Sequence, residues 1–215
     1  MAPAGGGSAG LARRLITLAP RSGFEGIAGR GGELWYVITG NGRLDAGELR
    51  AATVGQRTGA WLPPGTGYRL EAGPDGGIAL DAVALPATGP ARPGPGDPPR
   101  LAELGECEVE RTGDRRFRVL LGPGRGCEAA TQFVGEIPPG RAPEHSHPYD
   151  EMVLVLEGEG VVHLRDGDRP LATGARVHLP PGRPHCLENT GAGQLVVLGV
   201  FHPGGSPAAK AESQR

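Results

Sequence analysis

Residues 140–158 read GRAPEHSHPYDEMVLVLEG, and residues 174–189 read GARVHLPPGRPHCLEN. The first stretch places His145 and His147 two positions apart and Glu151 four positions further on. The second places His185 just past a Pro-Pro-Gly turn. Residues two apart in a strand share a face. The spacing therefore predicts that His145, His147 and Glu151 point the same way, with Ser146 and Pro148 turned aside or in a local bend. Met152–Leu156 is an apolar run of strand length, ended by Glu157-Gly158-Glu159-Gly160, which is a strand followed by a turn. Val161–Leu164 reads as the returning strand and Asp166–Asp168 as another turn, with His185 arriving from a distant strand. Three imidazoles and one carboxylate so distributed can hold one divalent metal in the mouth of a β-barrel.

These residues resemble the cupin family. Gly140, His145, His147, Glu151 and Gly158 fit its first motif, and Gly174, Pro180, Gly182, His185 and Asn189 fit its second. The resemblance covers residues 104–202 directly. It implies an all-β fold built on an antiparallel jelly-roll barrel, with His145, His147, Glu151 and His185 as metal ligands.

Composition is consistent with this reading. The 215 residues suffice for one large or two small domains. A formal net charge of -2 gives no basic footprint for nucleic acid. No apolar run is long enough to span a membrane as a helix. Cys107, Cys127 and Cys186 cannot all pair and show no CxxC spacing, which points to a reducing, cytoplasmic setting without a disulfide framework. The 39 glycines and 22 prolines fall mostly in turns between short apolar runs, as an all-β chain requires. The remainder cluster at the N-terminus, in Pro86–Pro99 and after Pro203.

The chain also contains an echo of itself. Residues 32–42, GELWYVITGNG, match 150–160, DEMVLVLEGEG, with Glu33 aligned to Glu151 and both glycines in register. Leu62-Pro63-Pro64-Gly65 matches Leu179-Pro180-Pro181-Gly182. The positions equivalent to His145, His147 and His185 are Ile27, Gly29 and Tyr68, and neither isoleucine nor glycine ligates metal through its side chain. The expectation is two tandem cupin-type barrels: a degenerate one over 11–85, a linker over 86–100, and a metal-binding one over 101–203. Residues 1–10 and 204–215 are read as flexible tails. LWYVI and MVLVL are apolar on both strand faces, so barrel should pack on barrel within the chain. Association into a homodimer stays open.

Three imidazoles and a carboxylate suit Fe, Mn, Co, Ni, Cu or Zn rather than Ca or Mg. Fe(II) is the first choice, with Mn(II), Ni(II) or Zn(II) as alternatives. An octahedral ion held this way keeps two open positions for a chelating small molecule. The reading is a metal-dependent oxidoreductase of dioxygenase type acting on a small oxygenated organic substrate, with Glu151 as ligand or proton acceptor. The alternatives are a non-redox isomerase, decarboxylase or lyase, and a non-catalytic ligand binder. Arg176 and His178 share parity and could line the pocket. Glu144 and Tyr149 are read as solvated, Cys186 as packing, His163 and His202 as non-ligands, and Asp114–Arg118 as a solvated strand edge.

Overall fold

The computed structural model describes residues 10–87 and 98–208. The expected linker lies largely outside the described residues, as do the first nine positions and the last seven. Eight strands form the first half: β1 (Ala12–Leu18), β2 (Gly23–Ile27), β3 (Glu33–Ala46), β4 (Leu49–Gly55), β5 (Thr58–Leu62), β6 (Gly67–Ala72), β7 (Ile78–Ala84) and β8 (Arg100–Glu103). A single 3-10 turn, Leu104–Glu106, follows. The second half holds β9 (Glu110–Thr112), β10 (Arg115–Leu121), β11 (Thr131–Ile137), β12 (Gly140–Arg141), β13 (Asp150–Glu157), β14 (Glu159–Leu164), β15 (Arg169–Ala172), β16 (Arg176–Leu179), β17 (His185–Asn189) and β18 (Leu195–His202).

All named strand pairs are antiparallel. The second half is a six-stranded sheet, β16-β13-β18-β11-β10-β9, facing a four-stranded sheet, β12-β17-β14-β15. The sequence suggests a hairpin from Met152 to Leu164, and the structure differs. β13 pairs with β16 and β18, whereas β14 pairs with β15 and β17. Gly158 is where the chain leaves one sheet for the other. Its φ is +90°, and a Cβ there would lie 2.6 Å from the Gln194 carbonyl oxygen, so only glycine passes without strain. Just before it the ladder slips between Val155 and Glu157. The first half repeats this: the ladder slips between Val37 and Thr39, and Gly40 follows at φ +80°. There the crossing happens within one long strand, β3, which pairs with β5 and β7 through its first part and with β4 and β6 through its second. The echo in the sequence is thus a repeated bulge-and-glycine corner.

Side-chain alternation assigns the two faces of the large sheets. Trp35 and Val37 fill the first interior, while Leu34 and Tyr36 face the second half. Val153 and Val155 fill the second interior, while Leu154 faces the first half. The cluster between the halves joins Leu34, Tyr36 and Trp61 to Leu121, Leu154 and Leu198, all buried. Gln132 crosses the same boundary, its Nε2 donating to the Trp35 carbonyl at 3.2 Å. β8, placed by sequence at the head of the second unit, pairs with β5 and belongs to the first sheet, because Leu101 packs against that half's interior cluster.

Candidate metal centre

The chain approaches the site through an irregular stretch. Residues 142–149 carry no strand apart from an isolated antiparallel bridge between His145 and His185. The strand parity expected for His145 and His147 therefore does not position them. The bridge does: His145 N donates to the His185 carbonyl at 3.0 Å, and His185 N to the His145 carbonyl at 2.9 Å. Directly bridged residues put their side chains on the same face, and the two rings stand 4.4 Å apart. The Gly182 N–H donates to the His147 carbonyl at 2.8 Å, tying the Pro-Pro-Gly turn to the same loop. Glu151 comes from β13, opposite Leu179 and Phe201.

His147, Glu151 and His185 are all buried and place their ligand atoms within 4.8 Å of one another. Two ligands about 2.0–2.2 Å from one ion lie at most about 4.4 Å apart, so these donors are gathered on the scale of one coordination sphere. His145 stands beside that group, its ring 6.3 Å from that of His147.

Each imidazole is oriented by a main-chain carbonyl. Nδ1 of His145 meets Pro143 O at 3.2 Å, that of His147 meets Tyr149 O at 2.8 Å, and that of His185 meets Arg183 O at 2.9 Å. A carbonyl only accepts, so each Nδ1 carries a proton and donates it. Nε2 is then the ligating nitrogen in all three rings, as outer hydrogen bonds require at a metal site. Burial lowers the pKa of His145 and of His185, each with help from neighbouring cationic or imidazole groups. Both rings are thus neutral near pH 7, with Nε2 lone pairs available. Burial also acts to lower His147, but its hydrogen bond to Glu151 and the charge of that carboxylate outweigh it and raise the pKa. His147 Nε2 lies 2.8 Å from Glu151 Oε2, so two of the ligand atoms meet where the donors converge. This donor set fits a borderline divalent transition metal and not an oxygen-seeking ion.

Beside the donors is a cavity of about 110 Å³ with an aromatic wall that the sequence reading missed. Tyr149, expected to be solvated, is buried and stacks on His147, with centroids 4.4 Å apart and planes 11° apart. Phe201 lies 4.4 Å from Tyr149, and Phe133 lies 4.8 Å from Phe201. Burial, with the charge of Glu151, pushes the Tyr149 hydroxyl up to about 12, so it remains a neutral phenol. Residues 204–208, expected to be part of a flexible tail, lie over this wall. Gly205 exchanges two hydrogen bonds with Thr131 Oγ1, at 2.7 and 3.0 Å, and Pro207 lines the cavity.

Other candidates lie elsewhere. Arg176 and His178 are exposed and turn outward, because Val177 and Leu179 take the inward positions of β16. His178 donates to Asp150 at 2.6 Å. His163 sits between Asp168 and Glu188, at 2.9 and 2.7 Å, away from the cavity. Cys186 is buried with Sγ 2.8 Å from the Ala142 carbonyl, and Glu144 is exposed. Asn189 is a brace: its amide donates to Ile137 O and Gly193 O, and its carbonyl accepts from Gly191 N.

The first half shows what replaces such a centre. Glu33 pairs with Leu62 as Glu151 pairs with Leu179. Its Oε2 accepts from Arg14 at 2.8 Å and from the Trp35 indole at 2.8 Å, and the same guanidinium reaches the Tyr68 hydroxyl at 3.3 Å. Arg14 supplies the positive charge between the residues that stand at the Glu151 and His185 positions. Ile27, at the His145 position, is exposed.

Residues 133–201 match the family described as the Cupin domain. The gentisate 1,2-dioxygenase of a Ralstonia species is 31% identical over 111 residues, covering 48% of this chain and 31% of that protein. The chain therefore spans about a third of the length of that curated relative. Among solved structures, oxalate decarboxylase of Bacillus subtilis, described with Mn(II) centres, superposes with a TM-score of 0.72 over 92% of this chain and 70% of that one, at 16% identity. A Cupin 2 conserved barrel domain protein from Leptotrichia buccalis gives 0.61 over 92% and 91%, at 17% identity. A cupin domain thus matches the part of the chain that carries the His/Glu cluster, and the fold of these cupin structures is shared over nearly the full length.

Proposed function

We propose that this protein is a metal-dependent oxidoreductase of dioxygenase type acting on a small oxygenated organic substrate. His145, His147, Glu151 and His185 would hold one divalent transition metal, Fe(II) in first place, with Mn(II), Ni(II) or Zn(II) as alternatives. The carrying observation is the orientation of the three imidazoles, each with Nδ1 committed to a carbonyl and Nε2 left for a ligand. The similarity to a gentisate 1,2-dioxygenase supports the reaction class. An odd number of cysteines with no CxxC spacing supports a cytoplasmic location.

A bound redox-active ion would supply Lewis acidity and an electron path between a chelated substrate and O₂. The protein's own part is positional and protonic. The carbonyl hydrogen bonds hold the rings without rearrangement. Tyr149, Phe133 and Phe201 keep water from one side of the site. Tyr149 stays protonated, so proton acceptance falls to Glu151, whose Oε2 lies 2.8 Å from His147 Nε2.

Elemental analysis of untagged protein tests this, followed by anaerobic reconstitution with Fe(II) and an O₂-uptake screen on catechols, β-diketones and α-keto acids. About one iron per chain with substrate-dependent uptake is expected. One equivalent of another metal without uptake would favour the non-redox isomerase, decarboxylase or lyase. Absence of metal under every condition would leave a ligand-binding protein.

A further inference from the structure

One wall of the cavity comes from the hairpin of β9 and β10, which the sequence presents as a solvated edge. Arg115 and Thr112 are directly paired across it and both line the cavity. Directly opposite residues share a face. Along β10 the same parity continues to Phe117 and Val119, both buried in the aromatic cluster. The other parity carries Arg116 and Arg118, which share Glu136 at 2.7 and 2.9 Å. That carboxylate is answered twice, whereas among the described residues no carboxylate lies in ion-pair distance of Arg115. Thr112 Oγ1 is buried and has no hydrogen-bond partner there either. Arg116 and Glu136 also line the cavity but are spent on each other, so Arg115 and Thr112 are the guanidinium and hydroxyl left there with unspent hydrogen-bonding capacity, beside the apolar Phe117, Phe133 and Phe201. His145, His147, Glu151 and His185 line the same cavity, so the subsite and the metal donors face one small space.

We infer that Arg115, assisted by Thr112, is an anion subsite that binds the carboxylate of an organic acid. The apolar body of that acid would lie against Phe117, Phe133 and Phe201. A guanidinium fork matches a carboxylate in shape and charge, and the apolar surroundings strengthen the attraction by excluding water. The inference deepens the proposed function, since an acid so held could present its other oxygens to the metal, but the subsite itself consists of protein groups alone.

Benzoate, titrated calorimetrically into metal-free protein with benzamide as the neutral control, tests the subsite independently of metal or turnover. The expected result is saturable benzoate binding, tighter than that of benzamide. Arg115→Gln should weaken benzoate by at least about tenfold and leave benzamide unchanged, as loss of a charge-assisted contact implies. Arg115→Lys should retain part of the affinity, and Thr112→Val should cost several-fold. Arg118→Gln, on the outward face, should not alter binding. Equal benzoate affinity in wild type and Arg115→Gln, or no preference for benzoate over benzamide in the wild type, would overturn the assignment. Metal content and melting temperature of Arg115→Gln should equal those of the wild type; were either to fall, Arg115 would be a structural residue and the inference wrong. Failure of the O₂-uptake screen with benzoate binding intact would count against the reaction class alone.

Discussion

Glu33→Ala and Glu151→Ala remove equivalent carboxylates, and the structure expects opposite consequences. Glu33 accepts from the Trp35 indole at 2.8 Å, and Trp35 is 2% exposed. Truncation leaves that N–H buried without an acceptor, which costs about 1–3 kcal/mol. The Arg14 contact adds little, since that side chain is 52% exposed and solvent screens such pairs to under about 1 kcal/mol. A total near 2 kcal/mol corresponds to a fall in Tm of about 4–8 °C for a chain of this size. Metal content should not change, because Glu33 already has a resident guanidinium as its counter-charge. Glu151→Ala should do the reverse. It removes one of the converging donors, so metal content should drop, while the stability of the metal-free form changes by less than that of Glu33→Ala. Thermal melts by circular dichroism and elemental analysis of both variants decide the matter. Loss of metal in Glu33→Ala, or an unchanged Tm for that variant, would refute the view that Arg14 has replaced the ion in the first half.

Burial lowers the pKa of His145, His185 and His202. The unfolded chain then binds these protons first, from about pH 6.5 downwards, so stability present above that pH is lost as pH falls towards the folded values. His147, raised by Glu151, opposes this; in a His147→Gln background, which removes that opposition, the Tm of metal-free protein should fall from about pH 6.5 downwards, and a rise would contradict the assigned directions. Leu198→Ala, at a fully buried position between the halves, should cost about 2–5 kcal/mol within a single calorimetric transition, whereas two separate transitions would show that the halves fold independently. Gly158→Ala combines a positive φ with a Cβ only 2.6 Å from Gln194 O, so it should lose more than about 1 kcal/mol. Gly193→Ala, with no atom within 4 Å of its Cβ, should be close to neutral, and equal effects of the two would reject the corner as the reason for glycine.

The local pattern carried much of the fold. The apolar runs Leu34–Ile38 and Met152–Leu156 lie within strands β3 and β13, because their length and the glycines behind them leave few other options. Register across the repeat was legible too, since Glu33 and Glu151 each oppose the leucine of a Leu-Pro-Pro-Gly segment. Pairing was less so. Val161–Leu164 looked like the return strand of a hairpin, yet a glycine at φ +90° sends it to the other sheet. No short-range signal separates those two outcomes. Tyr149 looked like a loop residue, and nothing within its own segment indicates that Phe201, more than fifty positions later, will pack on it.

From the sequence alone came the donor types, their order and the loss of three of them in the first half, because ligand chemistry and repeat register are properties of residue identity and spacing. The tertiary structure decided which faces look inward. A strand's alternation defines two faces but does not say which is buried, and a one-residue change in pairing exchanges them. That is why Arg115 and Thr112 face the cavity without a partner while Arg116, also at the cavity, and Arg118 are held by Glu136, and why Arg14, far from any metal motif in the chain, reaches Glu33 and Tyr68 in the first barrel.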